Sequence, residues 1–407
     1  MDGLILILGL LAGAYMAWNI GANDVANGMA SPVGAKAITL KQAVIIGGVL
    51  DFVGATLIGS HVAETVRKGI VEPSAIQDPR VMSLGLLAAL MAAGLWVFIS
   101  SWKQIPVSTT HSIVGSMVGF GIAASGFSSI RWWTLGGIVL SWIVSPFFAC
   151  ALGYGVFELI RRKVLVGPDI VGRGIRLGPF FVGVTFFIIL CSILLDTPLG
   201  NRLGLSPASR TGLSLMISVL MALFSRTWLR RLLRRRSHEG VEEVFRRLQI
   251  LTACYVSVAH GANDVANAIG PVAGIYIIYK TGSISPQAPV PMFLLAFGGL
   301  SIAIGCFTWG YRVIETLGHQ VTELTNTRGF SVDFGVATSV LLASKLGLPV
   351  STTHAAVGAV VGVGLARGIA AVDFRPVGKI CFFWLITLPI SAISCMIIFA
   401  LLGGIFL

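Results

Sequence analysis

Long apolar segments alternate with short polar ones along this chain. The core of a bilayer is about 30 Å thick and is crossed by a helix of about 20 residues. Segments of roughly that length are predicted as spanning helices at residues 3–30, 42–60, 134–157, 179–195, 211–225, 248–278, 289–308 and 378–406. The pattern predicts an all-α polytopic membrane protein.

Two further apolar segments are each split by a polar junction that contains proline. The first segment covers residues 83–125 and is interrupted before Pro106, and the second covers 334–366 and is interrupted before Pro349. Irregular backbone at membrane depth is tolerated only where protein or water surrounds it. Each segment is therefore predicted to be a re-entrant helical hairpin with its tip at membrane depth.

Two motifs occur twice, in the same order. GANDVAN occupies residues 21–27 and 261–267, and PVSTTH occupies residues 106–111 and 349–354. Identical strings of this length indicate that the chain contains a duplicated unit. We divide it into a first repeat, a middle section of spans with basic loops, and a second repeat, at residues 1–158, 159–247 and 248–407.

Basic residues cluster in two loops between apolar segments. Of the 29 Lys and Arg residues, five lie at 161–176 and eight at 226–247. Cytoplasmic loops are enriched in Lys and Arg, so both loops are predicted to be cytoplasmic. Counting the spans outward from these loops places both termini outside and gives the two repeats opposite orientations. Inverted repeats with broken helices that meet near the midplane are typical of secondary transporters.

The composition supports a membrane protein and argues against other classes. Charged residues make up 11% of the 407 residues and apolar residues 55%, whereas a soluble domain is about one quarter charged. The net charge of +12 is concentrated in loops between spans, so no nucleic-acid partner is predicted. The six cysteines are isolated in apolar segments, which argues against a zinc site or a disulfide framework.

The GANDVAN motifs place amide and carboxylate groups inside otherwise apolar helices. An ionisable group within a span costs at least about 2.5 kcal/mol on insertion scales, so it needs a partner. Oxygen ligands suit Na⁺ or a proton. The predicted cation-binding residues are Asn23, Asp24, Asn27, Asn263, Asp264 and Asn267, with Na⁺ at Asp24 and Asp264. The alternative is a set of polar contacts between helices.

Each PVSTTH motif lies where a new half-helix is predicted to begin. A helix N-terminus presents N–H groups and a positive dipole end to an anion, and hydroxyl groups add further donors. The predicted anion-binding residues are Ser108, Thr109, Thr110, Ser351, Thr352 and Thr353. Helix capping alone is one alternative. A membrane hydrolase that uses Ser108 and His111 is another, supported only by their spacing.

The motifs contain no Arg or Lys, and the nearest basic residues in the junctions are Lys103 and Lys345. A bound anion would then be neutralised by helix dipoles and by cations held at the Asp residues, which would couple the binding of the two. Two further acids, Asp51 and Asp333, lie in or beside apolar segments. Neither belongs to a duplicated motif, so they break the symmetry between the repeats.

The paired GANDVAN and PVSTTH motifs resemble the inorganic phosphate transporter (PiT) family, over nearly the whole chain except the basic middle section. The resemblance implies an inverted-repeat symporter of inorganic phosphate that forms a homodimer. We further expect no enzymatic activity and a location in the bilayer of the plasma (inner) membrane. The resemblance also implies that the motif residues form the binding site and that Asp51 and Asp333 are secondary coupling residues. Some family members have Glu at these two positions.

We expect Na⁺ to be the coupling ion and no other cofactor to be needed. An H⁺-coupled phosphate or sulfate permease of the same fold is the first alternative, because oxygen ligands serve either cation and some family members carry sulfate. A channel is a second alternative, which a single-channel current would distinguish from a symporter. The membrane hydrolase is a third.

Overall fold

The structure is a computed structural model that describes residues 2–103, 105, 107–167, 169–196, 200, 203–233, 239–284, 288–318 and 325–407. These residues form thirteen α-helices: α1 (Asp2–Gly34), α2 (Leu40–Ile58), α3 (Ser60–Lys68), α4 (Pro79–Trp102), α5 (Thr109–Ser125), α6 (Trp132–Ile160), α7 (Ile170–Asp196), α8 (Pro207–Leu233), α9 (Glu239–Thr281), α10 (Met292–Gly318), α11 (Asn326–Lys345), α12 (Thr352–Leu365) and α13 (Phe374–Phe406). The predicted all-α fold is confirmed.

Eight helices of the described chain are long and apolar enough to cross a membrane, namely α1, α2, α4, α6, α7, α8, α10 and α13. Helix α9, predicted as a span, is 43 residues long but is not among them. Its first turns are charged and its centre carries the second GANDVAN motif, and both lower its mean hydropathy. Helix α4 meets the criterion although it was predicted as one arm of a hairpin, because its 24 residues extend about 36 Å.

Both predicted hairpins consist of two helices with a break between them. Helices α4 and α5 pack against each other, and so do α11 and α12. The tips are only partly enclosed by protein, because Lys103 and Lys345 are exposed. Both lysine side chains therefore lie outside the buried part of the hairpin.

A serine caps the second arm of each hairpin. The hydroxyl of Ser108 accepts a hydrogen bond from the backbone N–H of His111 at 3.1 Å, and the hydroxyl of Ser351 accepts one from His354 at 3.3 Å. Such a cap satisfies one of the free N–H groups in the first helical turn. The predicted helix start after each junction is therefore confirmed.

We expect Ser351→Ala to lower the free energy of unfolding by about 1 kcal/mol, because it removes this cap from α12. Unfolding in SDS, followed by tryptophan fluorescence, measures the change. Ser351→Asp keeps a capping side chain and is expected to retain most of the stability. Equal losses in the two variants would contradict the capping role.

The two repeats interlock. Helix α1 packs against α10, and α9 packs against α2 and α11. The first hairpin, α4–α5, packs against α13, and the second, α11–α12, packs against α6. Each hairpin is therefore covered by a long helix from the other repeat.

Two glycines allow helices to approach closely at the GANDVAN motifs. A Cβ atom on Gly21 would lie 1.9 Å from the carbonyl oxygen of Ile302, and one on Gly261 would lie 2.1 Å from that of Asp51. Any larger residue would push the backbones apart. These contacts hold α1 against α10 and α9 against α2, and they set the position of the polar residues that follow each glycine.

Candidate functional site

The fold brings the four motifs together in the interior. The GANDVAN motifs lie within α1 and α9, and the PVSTTH motifs lie at the starts of α5 and α12. Of the twelve residues predicted to bind cation or anion, eleven are buried and Asn27 is half-buried. Buried polar groups need hydrogen-bond partners, and most of the partners here come from the motifs themselves.

Asp24 is the centre of the contacts in the first half of the site. Its Oδ2 accepts a hydrogen bond from the hydroxyl of Thr109 at 2.7 Å, and its Oδ1 accepts one from the amide of Asn23 at 2.8 Å. Asn23 Nδ2 is also 3.4 Å from the carbonyl oxygen of Val107. The carboxylate thus joins the middle of α1 to the start of α5.

Asp264 occupies the matching place in the second half. Its Oδ2 accepts a hydrogen bond from the hydroxyl of Thr352 at 3.1 Å. Asn263 Nδ2 donates to Ser344 Oγ at 3.1 Å and to the carbonyl oxygen of Leu348 at 3.3 Å. Each Asp therefore binds the hairpin of its own repeat.

The last Asn of each motif contacts the hairpin of the other repeat. Asn27 Nδ2 donates to Thr352 Oγ1 at 3.1 Å and to Thr353 Oγ1 at 3.0 Å. Asn267 Nδ2 donates to Thr110 Oγ1 at 3.1 Å. These contacts unite the two halves into one site, which the amino-acid sequence does not reveal.

Two amide oxygens in the second half are available as ligands. Asn263 Oδ1 and Asn267 Oδ1 are buried, and neither accepts a hydrogen bond from the described residues. A buried acceptor without a partner is costly, by about 1–3 kcal/mol. Hard cations bind oxygen ligands, whereas softer metals prefer sulfur or nitrogen. Neutral amide oxygens beside a carboxylate are therefore a suitable set of ligands for Na⁺.

The two halves of the site meet at Asp24 and Asp264. One carboxylate oxygen of Asp24, one of Asp264 and one ring nitrogen of His260 lie within 4.8 Å of one another. Like charges at this distance repel unless a cation or proton lies between them. The centre of the site is therefore suited to cations.

Sequence reasoning missed His260. Its Nε2 lies 2.9 Å from Asp264 Oδ2, and its Nδ1 lies 3.0 Å from Asp51 Oδ1. The one available signal was its position directly before the second GANDVAN motif, where the first motif is preceded by Ile20. A lone histidine outside the repeated strings has no feature in the sequence that distinguishes it from other isolated polar residues.

The two secondary acids differ in their placement. Asp51 on α2 is connected to the centre through His260, whereas Asp333 on α11 lies beside Ser31 and Gln249. Gln249 Nε2 donates to Ser31 Oγ at 3.0 Å. Asp333 is therefore buried between α1, α9 and α11, apart from the hydrogen bonds of the four motifs.

The two histidines of the PVSTTH motifs pack against each other, with ring centroids 4.6 Å apart. Nδ1 of His111 lies 3.2 Å from the carbonyl oxygen of Trp384, and Nδ1 of His354 lies 3.1 Å from that of Trp142. Ser108 bonds to the backbone of His111 and not to its ring. This geometry does not provide the Ser–His pair of a hydrolase.

A cavity of about 90 Å³ extends from the site between α1, α12 and α13. Asn27 and Thr353 line it at the site, and Pro376, Val377 and Ile380 line it near the start of α13. The rest of its wall is largely apolar. The cavity joins the half-buried Asn27 to one end of the helical bundle.

In this helical membrane fold, two helical hairpins surround one buried polar site. This architecture is typical of membrane transport proteins. Residues 20–395 match the phosphate transporter family. The chain belongs to that family.

Two similar proteins are also named for phosphate transport. The chain is 48% identical over 398 residues to a protein of Pyrococcus furiosus named as a phosphate permease, covering 97% of this chain and 95% of that one. It is 41% identical over 420 residues to the chloroplastic inorganic phosphate transporter 2-1 of Arabidopsis thaliana, covering 95% of this chain and 70% of that one. The family contains transporters, so the hydrolase interpretation is not retained.

A solved structure shares the whole fold. It is described as the sodium-dependent phosphate transporter, and it superposes on this chain with a TM-score of 0.94 at 43% identity. The match covers 99% of this chain and 100% of the other. The predicted membership in the phosphate transporter family is confirmed.

Proposed function

We propose that this protein is a symporter that imports inorganic phosphate together with Na⁺ by alternating access. The observation that carries the proposal is the pair of buried acids, Asp24 and Asp264, each of which accepts a hydroxyl hydrogen bond from the start of a hairpin. The related solved structure is described as sodium-dependent, which supports Na⁺ as the coupling ion.

The cations bind at the GANDVAN residues in this proposal. One Na⁺ binds at Asp24 with the amide oxygens of Asn23 and Asn27, and another at Asp264 with those of Asn263 and Asn267. The unpartnered oxygens of Asn263 and Asn267 support this assignment.

Phosphate binds at the hairpin starts in this proposal. The residues are Ser108, Thr109, Thr110, Ser351, Thr352 and Thr353, at the positive dipole ends of α5 and α12. The motifs contain no Arg or Lys, and Lys103 and Lys345 are exposed. Bound Na⁺ therefore provides the compensating positive charge.

The shared hydroxyl groups couple the two binding events. Thr109 now donates to Asp24 at 2.7 Å and Thr352 donates to Asp264 at 3.1 Å. When Na⁺ neutralises the carboxylate, the hydroxyl hydrogen becomes available to a phosphate oxygen. Cation binding thereby favours anion binding, and the reverse holds by linkage.

The interlocked repeats are suited to alternating access. We propose that they are inverted and that the hairpins move against the long helices that cover them. The cavity at Asn27 and Thr353 runs toward the start of α13, the side predicted to be cytoplasmic. It is therefore the inward path for phosphate.

The topology follows from the charged loops. The two basic segments, at 161–176 and 226–247, were predicted as loops, but they include the first turns of α7, the last turns of α8 and the first turns of α9. The start of α7 and the end of α8 lie on the same side of a membrane that both helices cross, and we propose that this side is cytoplasmic. Both termini then lie outside. The homodimer and the plasma (inner) membrane location stay predictions.

We expect uptake of radioactive phosphate into proteoliposomes to follow an inward Na⁺ gradient. Gradients of Na⁺ and pH are imposed separately, with sulfate and arsenate as competitors. Arsenate, a tetrahedral anion that carries a proton at neutral pH, is expected to compete, and sulfate is not. Full uptake without a Na⁺ gradient would contradict Na⁺ coupling, and uptake driven by the pH gradient alone would favour the H⁺-coupled permease.

We expect Thr110→Val to raise the KM for phosphate by about tenfold or more, because a hydrogen bond to a charged group contributes about 1.5–3 kcal/mol. Uptake at saturating Na⁺ measures the change. Thr227→Val, at an exposed position of α8, is the matched control and is expected to leave KM unchanged. An unchanged KM in Thr110→Val would show that this hydroxyl group does not bind phosphate.

A further inference from the structure

His260 is a buried polar residue for which the first repeat has no counterpart. It lies on α9, one turn before Asp264, and is only 3% exposed. The corresponding position in α1 is Ile20, directly before the first GANDVAN motif. The two acids at the centre of the site therefore have different neighbours.

The imidazole ring of His260 lies between two carboxylates from different helices. Nε2 is 2.9 Å from Asp264 Oδ2 and Nδ1 is 3.0 Å from Asp51 Oδ1. These are ion-pair distances, and neither contact has the alignment of a hydrogen bond among the described residues. Asp51 Oδ2 is in turn 3.5 Å from Cys306 Sγ.

Close packing of the backbone holds this arrangement in place. A Cβ atom on Gly261, the next residue after His260, would lie 2.1 Å from the carbonyl oxygen of Asp51. Helix α9 therefore contacts α2 at the residue that follows the histidine. The side chains of Asp51 and His260 meet because the backbones that carry them touch.

The position of the imidazole ring gives the histidine a physical role. Nδ1 contacts Asp51 on α2, and Nε2 contacts Asp264, which lies one turn further along α9. A change at Asp51 can therefore reach Asp264 through the ring.

The contacts also assign different roles to the two oxygens of Asp264. Oδ2 accepts from Thr352 at 3.1 Å and lies against His260. Oδ1 is 3.4 Å from Asn267 Nδ2, and the oxygen of the same amide group accepts no hydrogen bond from the described residues. His260 and Thr352 thus contact one carboxylate oxygen, and Asn267 contacts the other.

We propose that His260 is a positioning residue that connects Asp51 to Asp264 and orients the Asp264 carboxylate for Na⁺. Asp51 acts on the cation site through the imidazole ring and does not contact the ion. The first half of the site has no such link, so the two halves differ in how they hold Na⁺. This inference rests on the proposed Na⁺-coupled function.

The test compares His260→Gln, Asp51→Asn and the double variant in proteoliposomes. The half-saturating Na⁺ concentration is expected to rise about tenfold in each single variant, because each removes one of the two contacts through which the ring connects the carboxylates. The KM for phosphate at saturating Na⁺ is expected to stay within about twofold. The double variant is expected to be no weaker than His260→Gln, since residues that act through one contact are not additive.

A second measurement follows Na⁺ binding without transport. The rise in thermal unfolding temperature with added Na⁺, without phosphate, is expected to need a higher Na⁺ concentration in His260→Gln and in Asp51→Asn. Asp51→Glu keeps a carboxylate and is expected to restore most of the affinity for Na⁺. His61→Gln, at an exposed histidine on α3, is the matched control and is expected to behave as the unaltered protein.

Three results would overturn the inference. The first is an unchanged Na⁺ affinity in a folded His260→Gln or Asp51→Asn protein. The second is a double variant whose loss of Na⁺ affinity equals the product of the two single losses, and the third is an Asp51→Glu variant that binds Na⁺ as weakly as Asp51→Asn.

The outcome also separates this inference from the proposed function. If the unaltered protein transports phosphate with Na⁺ but the variants bind Na⁺ as it does, only the inference fails. If the unaltered protein shows no Na⁺ dependence, both fail.

Discussion

Replacing Asp24 by asparagine is expected to lower Na⁺-driven phosphate uptake at least about 100-fold. Loss of one partner from a buried charged group costs about 3–5 kcal/mol, and about 1.4 kcal/mol corresponds to a factor of ten. Asp24 is 2% exposed and is the only acid that the first GANDVAN motif contributes. Asparagine has nearly the same shape, so the fold is expected to be retained.

Phosphate uptake and Na⁺ binding of the purified Asp24→Asn protein measure this effect. Exchange of labelled phosphate across the membrane is expected to fall as well, because phosphate binding requires the cation. Asp373→Asn is the matched control, since Asp373 is exposed and caps α13 by accepting from the backbone N–H of Arg375. Asparagine is an equally good cap, so its uptake should be normal. Uptake by Asp24→Asn within tenfold of the control would contradict the proposed cation site.

A single methyl group on Gly261 is expected to destabilise the protein by about 3 kcal/mol or more. Overpacking a tight interior costs about 1–3 kcal/mol, and here the added Cβ would lie 2.1 Å from a backbone oxygen of α2. A backbone atom cannot move aside as the end of a flexible side chain does. Helices α2 and α9 must separate, and Asp51 is expected to lose its contact with His260.

Gly136→Ala on α6 is the matched control, because an added Cβ there meets nothing within 4 Å. Alanine has a higher helix propensity than glycine, so this variant is expected to be neutral or more stable by about 1 kcal/mol. Unfolding in SDS compares the two proteins, and the half-saturating Na⁺ concentration reports on the cation site. Equal stability of Gly261→Ala and Gly136→Ala would show that the backbone contact is unimportant.

The apolar pattern predicted most of the fold because a bilayer imposes a minimum length on each spanning helix. The apolar pattern predicted poorly which of α4 and α9 has the length and composition of a spanning helix. Helix α9 carries charged first turns and a polar centre, yet it is a continuous 43-residue helix, because neighbouring helices shield its polar side chains. The hairpins were predictable because Pro106 and Pro349 mark each break and a serine cap follows.

The candidate site was predictable only where the chain repeats itself. Duplication distinguishes Asp24, Asp264 and the hydroxyl residues from other polar residues, because two copies of one string are improbable by chance. His260 was missed because it has no copy. Asp51 and Asp333 were grouped together as acids in apolar segments, although only Asp51 is connected to the centre.

The order of the long helices, the two breaks and the identity of the polar motifs follow from the amino-acid sequence alone, since they depend on local composition and on the thickness of a bilayer. The tertiary structure decided which side chains meet. Asn27 contacts a hairpin more than 300 positions away in the chain, and His260 meets Asp51 because two helices touch at Gly261. Such contacts depend on how whole helices pack, and one sequence carries no local signal for that packing.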